Sequence, residues 1–526
     1  MAAKFTSPEE TTIVSPPPRP PTGPVEGGEP VASAGGSTET TTTTTSSNET
    51  PTQAEPQSNQ ISETALNYRL RAQSSVNLGG WLVTEKWLKP GLYECTGNDK
   101  VGELNLAANC DVSKLQEHWD TWITDKDFDA LKERGINTVR LPVGYWTVGK
   151  ANCNCEDSKF WPYIDKYEGQ WSYVLKAIDW ANQRGMGVLI DLHGAQGSQN
   201  TWDHSGESDR KDGVAGFVGS ETNRGATKEV IKWIVSQVKD KENVVGIELL
   251  NEATEDAGAL GSWYAEVASD IQAIAGLDYP IYIFAGFRGS GDYWHDWVQD
   301  KPGFWVLDVH PYYLYSSNWK TTTIDQMLDS ITKQDTRSLQ KLAPNVVLGE
   351  WGCAVEGNST AEHEGFDRVG QYCDAQLELY TSQAAGGWHY WNIHAEGDRS
   401  PWDFLSASTV HPGNNRALVR PARNAASFDP AARNDGSHGF SHKRSMLAQR
   451  ARAHEHRIKR DSYVRHHDDA VEVWDAGCEI GKLFAEAGHV LGFPAEWIRR
   501  HGLKHDDYDG HTYREHFTNG VRACQV

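Results

Sequence analysis

Tyr173-Val174-Leu175-Lys176-Ala177-Ile178-Asp179-Trp180-Ala181-Asn182-Gln183-Arg184-Gly185, followed at once by Gly187-Val188-Leu189-Ile190-Asp191-Leu192-His193-Gly194, carries the reading of the fold. The first part has apolar residues at helical spacing and stops at Arg184-Gly185, a C-terminal helix signal. The second is an apolar run that closes on Asp191 and His193. Helix then strand is one half of a βαβ unit, and the pattern recurs outward in both directions. Apolar or β-branched runs occur at Val76–Leu82, Asn137–Val143, Gly187–Leu192, Val244–Leu250, Ile281–Ala285, Phe304–Val309, Asn345–Leu348 and Gly387–Trp391. Helix-like stretches lie between them, among them Trp119–Arg134 and Thr227–Val238. Eight such units over residues 67–405 predict an α/β chain with a (β/α)8 barrel and some long loops. A doubly wound open sheet is the alternative. Its Gly-rich phosphate turn is absent after the first run, which reads Leu78-Gly79-Gly80-Trp81.

The flanks differ in composition. Residues 1–66 hold no Cys, Trp or Tyr, and include Pro16-Pro17-Pro18 and a threonine run from Thr40 to Thr45. Such a segment buries too little apolar surface to offset its ordering entropy and is expected to be disordered. Residues 406–465 turn basic and loop-like and read as a flexible linker. Residues 466–526 regain apolar residues and read as a small helical module, packed on the barrel or standing alone.

The chain of 526 residues has 50 Lys+Arg against 72 Asp+Glu, a formal net charge of −22. This acidity disfavours nucleic acids and anionic membranes as partners. No apolar run is long enough to span a bilayer. The start lacks an apolar secretory segment, since Glu9 and Glu10 stand where one belongs. The eight cysteines point the other way. Cys95 and Cys110 are 15 apart, and Cys353 and Cys373 are 20 apart, which allows short loops to be closed. Cys153 and Cys155 stand too close to pair comfortably and are expected to need separate partners. Without a C-x-x-C pair a zinc site is not expected. Sequons occur at Asn48 and Asn358.

In a barrel of this kind the chemistry sits where strands end. Arg140 lies in the second run. Asp191-Leu192-His193-Gly194, Asn251-Glu252, His310-Pro311-Tyr312, Gly349-Glu350-Trp351 and Trp388-His389-Tyr390-Trp391 close later ones. Two glutamates directly after apolar runs are costly unless used or paired. Two carboxylates suit the cleavage of an acetal, in which one protonates the leaving oxygen and the other meets the anomeric carbon. The 21 tryptophans supply flat faces for a pyranose. Trp81, Trp146, Trp351, Trp388, Trp391 and Trp402 are expected near the barrel mouth. No H-E-x-x-H, G-x-S-x-G or P-loop motif supports a metalloprotease, serine hydrolase or nucleotide hydrolase.

The ordered set Val76-Asn77-Leu78-Gly79-Gly80-Trp81, Leu192-His193-Gly194-Ala195 with Gly197-Ser198-Gln199-Asn200, Leu250-Asn251-Glu252, His310-Pro311-Tyr312, Gly349-Glu350-Trp351 and Gly387-Trp388 resembles glycoside hydrolase family 5, closest to its exo-β-1,3-glucanase branch. The resemblance implies a retaining hydrolase of β-1,3-glucan, acting from non-reducing ends, able to pass the sugar to an acceptor, and needing no cofactor or metal. It implies that Glu252 is the acid/base and Glu350 the nucleophile. Arg140 would ionise the nucleophile, and Asn251 would hold the 2-hydroxyl. His310 and Tyr312 would support the pair. Glu85, His193, Asn200 and Trp391 would line the non-reducing sugar subsite. Retention needs the two carboxyls about 5–5.5 Å apart. A monomer at the cell surface or wall is the implied setting. The chain departs from the family pattern at Gln196, Ala253 and Asn392–Glu396. Another β-glucoside substrate, such as β-1,6-glucan or a glycolipid, or a non-catalytic glucan-binding role, are the alternatives.

Overall fold

The computed structural model describes residues 61–97, 101–208, 214–254, 257–286, 291–299, 301–314, 320–331, 339, 345–355, 360–364, 366–384, 386–397, 400–406, 466–486, 490–500 and 510–524. Eight parallel strands close into a barrel in chain order. They are β1 (Gln73–Asn77), β2 (Thr138–Gly144), β3 (Gly187–Gly194), β4 (Val244–Glu248), β5 (Ile281–Phe284), β6 (Trp305–Val309), β7 (Val346–Trp351) and β8 (Gly387–Tyr390). β1 pairs with both β2 and β8, which seals the cylinder. Helices flank it, including Trp171–Gln183 before β3 and Glu221–Val238 before β4. Every residue of β2 and β3 is buried, as expected of strands covered on both faces.

Two expectations shift. The first strand lies earlier than the apolar run predicted: β1 is Gln73-Ser74-Ser75-Val76-Asn77, and residues 78–82 belong to the loop after it. Polar residues at the barrel axis disguise the strand, because Gln73, Ser75 and Asn77 alternate inward and are buried. The single helix over Trp119–Arg134 is two, Val112–Thr121 and Asp125–Glu133. Thr124 starts the second with a capping box to Asp127, which breaks the run.

A helix at Glu63–Leu70 begins inside the stretch expected to be disordered, capped by the Ser62 hydroxyl. It packs at the N-terminal end of the barrel. Tyr68 and Leu70 share a cluster with Leu189, Val245, Val306 and Val347 of the strands. Leu491, Phe493, Trp497 and Ile498 join that cluster from the C-terminal segment. Phe493 fits tightly under the strand starts, since a Cβ on Gly386 would come within 2.6 Å of its ring. So the C-terminal helices His466–Glu486, Pro494–Arg500 and Gly510–Cys524 cover the barrel floor, opposite the strand ends where the polar residues gather. Residues 1–60, 407–465 and both sequons lie outside the described residues.

The disulfides are Cys95–Cys110, Cys353–Cys373, Cys153–Cys155 and Cys478–Cys524. The third corrects the expectation that Cys153 and Cys155 need separate partners. Asn154 between them takes a left-handed φ of 49°, and this turn brings the two Cα atoms to 5.0 Å. The tryptophan expectation is corrected too. Trp81, Trp146 and Trp351 are fully buried core residues, and Trp388 is nearly so. Trp146, for instance, lies stacked on Phe160 with ring centres 4.5 Å apart.

Candidate active site

Arg140 of β2 stands on the barrel axis, wholly buried, and organises the strand ends around it. Its Nε donates to Glu248 Oε2 at 2.8 Å, Nη1 to Asn77 Oδ1 at 3.0 Å and to Glu350 Oε1 at 3.1 Å, and Nη2 to Asn251 Oδ1 at 2.8 Å. Asp191 Oδ2 lies 3.2 Å from Nη2. A planar guanidinium can hold this many acceptors in fixed directions, whereas an ammonium cannot. Burial opposes its charge, but the surrounding carboxylates of Asp191, Glu248 and Glu350 keep it cationic.

Glu350 ends β7. Its Oε1 meets Arg140, and its Oε2 accepts from the Tyr312 hydroxyl at 3.1 Å. Glu252 follows β4 on a turn where it takes φ of 44°, a left-handed conformation rare for a side-chain-bearing residue. Such strain costs on the order of 1–3 kcal/mol and persists only where the surroundings hold it. Here Asn200 Nδ2 donates to the Glu252 carbonyl at 3.1 Å, and Thr254 N donates to Gln199 O at 3.3 Å. His310 donates from Nδ1 to Glu252 Oε1 at 2.7 Å and is 3.7 Å from Glu350 Oε2. One oxygen of Glu252, one of Glu350 and a His310 nitrogen all lie within 4.8 Å of one another. The nearest oxygens of the two carboxyls are thus close enough for the roughly 5–5.5 Å carboxyl spacing of a retaining pair.

His310 and two acids, Glu252 with Glu350 or Glu248 with Asp308, also offer donor atoms at metal-binding separation. In the first set His310 donates to Glu252 while Arg140 and Tyr312 donate to Glu350, so those atoms present a proton-sharing network. Burial, reinforced by the Glu252 charge, pushes Glu350 up to about 7, against the pull of His310 and Arg140. Burial also opposes ionisation of Glu252, but hydrogen bonding from His310 prevails and holds it below its ordinary value. Carboxylates Glu350, Asp308 and Glu252 outweigh burial at His310 and keep it protonated. The two carboxyls thus titrate as a pair, with Glu350 the more readily protonated of the two.

The remaining expected residues surround this pair. Asn251 is held from both sides, its N–H bonding to Leu192 O at 3.0 Å and its carbonyl accepting from Gln199 Nε2 at 3.0 Å. His193 donates from Nδ1 to Asp191 Oδ2 at 2.6 Å. Burial, with Arg140 nearby, keeps its ring neutral. Trp391 lies almost parallel to the His193 ring, centres 5.6 Å apart. Its far edge presses on the backbone of Gly79, where a Cβ would come within 2.8 Å. Glu85 is buried and accepts from Trp87 Nε1 at 2.6 Å. Burial first, then Asp203, raises its pKa well above the ordinary value. All ten expected residues are brought to this one end of the barrel.

Several participants escaped the sequence reading. Asn77 links Arg140 to the backbone carbonyl of Gly349 at 2.9 Å. Asp308 accepts from Gly349 N at 2.5 Å and approaches His310 Nε2 at 3.4 Å. His204 reaches Glu252, and Asp203 faces Glu85. Strand alternation was a usable signal for some of them. Asp191 and His193, like Asp308 and His310, are two apart and so share the inward face.

The described cellulase model of glycosyl hydrolase family 5 matches residues 105–397. A protein of Schizosaccharomyces pombe named glucan 1,3-beta-glucosidase 3 is 28% identical over 453 residues, covering 82% of this chain and 90% of its own length. A glucan 1,3-beta-glucosidase of Kluyveromyces lactis is 29% identical over 64% of this chain and 86% of its own. Among solved structures, a rutinosidase from Aspergillus niger superposes with a TM-score of 0.54 at 19% identity, over 65% of this chain and 97% of that one, a likeness of fold.

Proposed function

The chain belongs to glycosyl hydrolase family 5, and from that premise we propose that it hydrolyses β-1,3-glucan with retention, releasing glucose from non-reducing ends. Glu350 attacks the anomeric carbon while Glu252 gives its proton to the leaving glycosidic oxygen. The C–O bond to the leaving sugar breaks and an ester to Glu350 forms. Water, deprotonated by Glu252, then cleaves that ester and returns Glu350 as carboxylate. A sugar hydroxyl in place of water gives transglycosylation. The first step needs the shared proton on Glu252. That form has the same net charge as the form protonated on Glu350, so the proton need only cross the pair.

The observation that carries this reading is the oxygens of Glu252 and Glu350 within 4.8 Å of His310 and of one another, with Arg140 on Glu350. Arg140 and Tyr312 are read as holding the nucleophile, and Asn251 as holding the 2-hydroxyl. Glu85, His193, Asn200 and Trp391 are read as the sugar subsite. The names of the S. pombe and K. lactis relatives support the linkage. Residues 67–405 are read as the catalytic unit.

We place the activity outside the cell or at the wall, in a monomer. Four disulfides support an oxidising setting. Among the described residues no helix is long and apolar enough to cross a membrane.

Two assays test the proposal. Linear β-1,3- and β-1,6-glucans are digested and the products sized. Glucose alone, from the β-1,3 polymer alone, is expected, and a ladder of oligosaccharides would refute exo action. Proton NMR of the earliest product is expected to show the β-anomer, and an initial α-anomer would refute retention.

A further inference from the structure

The turn after β3 brings a second histidine onto Glu252, one that the reading above leaves without a role. His204 lies in the short Asp203–Ser205 turn and is 9% exposed. Its Nδ1 is 3.3 Å from Asn251 Nδ2, and its Nε2 is 3.4 Å from Glu252 Oε2.

The hydrogen-bond directions can be followed atom by atom. Asn251 Oδ1 accepts from Arg140 Nη2, so its amide cannot turn over without losing that cation. The amide nitrogen therefore faces two rings, His204 at Nδ1 and His193 at Nε2, the latter 3.4 Å away. His193 Nε2 is free to accept because Nδ1 carries the hydrogen toward Asp191. A neutral imidazole has one accepting and one donating nitrogen. With Nδ1 accepting from Asn251, His204 bears its hydrogen on Nε2. The neighbours of that nitrogen are Glu252 Oε2 and, at 3.4 Å, Asn200 Nδ2. Asn200 Nδ2 is itself a donor, bonded to the Glu252 carbonyl, and its Oδ1 accepts from Trp202 N. The carboxylate is left as the acceptor. Burial lowers the His204 pKa to about 4, despite the pull of Glu252, so the ring works as a neutral N–H donor near neutral pH.

We propose that His204 is a positioning residue that donates from Nε2 to Glu252 Oε2, so that both oxygens of the acid/base carboxyl are held as acceptors, one by His310 and one by His204. The proposal rests on the acid/base reading of Glu252. Its consequence is directional. A donor on Oε2 favours the ionised carboxyl, so Glu252 takes up its proton at lower pH than it would with His310 alone. In the second step the same donor favours Glu252 as the base that activates the acceptor.

Glu252 is faced by charged or titratable groups from several elements: His310 after β6, Glu350 on β7, His193 on β3, Arg140 on β2 through Asn251, and Glu85 after β1. A His204 variant leaves all of these in place.

The test is the pH profile of kcat/KM in two variants of the full chain, on laminaritriose and on an aryl β-glucoside with a good leaving group. His204→Phe keeps a ring and loses the N–H. His204→Gln keeps an amide donor. His204→Phe is expected to move the acid limb upward by about 0.5 pH unit or more, the scale of a weak hydrogen bond to a charged group. His204→Gln is expected to return it to the wild-type position. A limb that stays put in His204→Phe, or moves equally in both, overturns the proposal. If circular dichroism shows His204→Phe unfolded, His204→Asn, too short to reach Glu252, replaces it with the same expectation. Glu252→Gln is run in parallel. Full hydrolysis of laminaritriose by that variant would overturn the acid/base reading and the proposal together. An inactive Glu252→Gln with an unmoved limb in His204→Phe would overturn the role of His204 alone.

Discussion

His310 donates to Glu252 Oε1 at 2.7 Å while standing 3.7 Å from Glu350 Oε2, so one imidazole bridges the two carboxyls that share a proton. The bridge ties the ionisation of each glutamate to the other. It also places the ring's other nitrogen 3.4 Å from Asp308, whose second oxygen accepts from the backbone N–H preceding Glu350. Glu350, Glu252 and their common partner His310 are therefore fixed by one connected set of bonds.

The pH dependence of kcat/KM follows from that set. Activity requires one proton on the pair. Burial raises Glu350 to about 7, so that proton is present below that pH and lost as pH rises through it. The alkaline limb is expected near pH 7. On the acid side a second proton must reach Glu252, whose pKa lies below the ordinary 4.5, so the acid limb is expected below that value. Initial rates on laminaribiose from pH 3 to 9 check both. A rate that stays level through pH 8.5 would show that the proton is not shared in this way.

Arg140→Lys is expected to lower kcat/KM by about 100-fold or more, because a point charge cannot reach Glu350, Asn77, Asn251 and Glu248 together. Arg140→Ala is expected to fail earlier. It leaves Asp191, Glu248 and Asp308 buried without their cation, and removing one partner of a buried ion pair costs about 3–5 kcal/mol. Thermal melting separates the two cases: a modest loss of Tm in the lysine variant, and a large loss or no soluble protein in the alanine one.

The barrel was legible because seven of its strands are apolar runs, six of which close on titratable or aromatic residues. The eighth, β1, was placed late because Gln73, Ser75 and Asn77 point to the axis and the apolar stretch follows the strand. The same displacement hid Asn77. Both glutamates were legible from type and position, since a carboxylate directly after a buried strand has little structural use. His204 was not, because it stands in a loop whose course depends on the left-handed turns at Ser198 and Thr201. Tryptophan misled for a different reason. Lying near a strand end does not say which way a ring turns, and Trp81 and Trp351 turn into the core.

Gly79 lies where the backbone after β1 meets the Trp391 ring. A Cβ there would lie 2.8 Å from the Trp391 ring and 3.1 Å from the Asn392 side chain, while Gly79 N donates to that same side chain. Gly79→Ala is expected to push Trp391 away from His193 and raise KM for laminaribiose by about 10-fold, roughly 1.4 kcal/mol, with a smaller change in kcat. Michaelis curves decide it. An unchanged KM would show that Trp391 does not set the subsite.

Cys478–Cys524 closes a loop of 46 residues and joins helices that cover the barrel floor. In the chain-entropy account a loop of that size is worth about 4 kcal/mol, drawn from restriction of the unfolded chain. The double variant Cys478→Ser, Cys524→Ser is therefore expected to melt several degrees lower. The covered floor lies at the opposite end of the strands from Glu252 and Glu350, so kcat/KM at 25 °C is expected to stay within about twofold, as for distant sites that do not couple. Scanning calorimetry beside an activity assay tests both halves. A large loss of activity in folded protein would mean that the floor is coupled to the site through the strands, and that Phe493 and its neighbours help to set the position of Arg140.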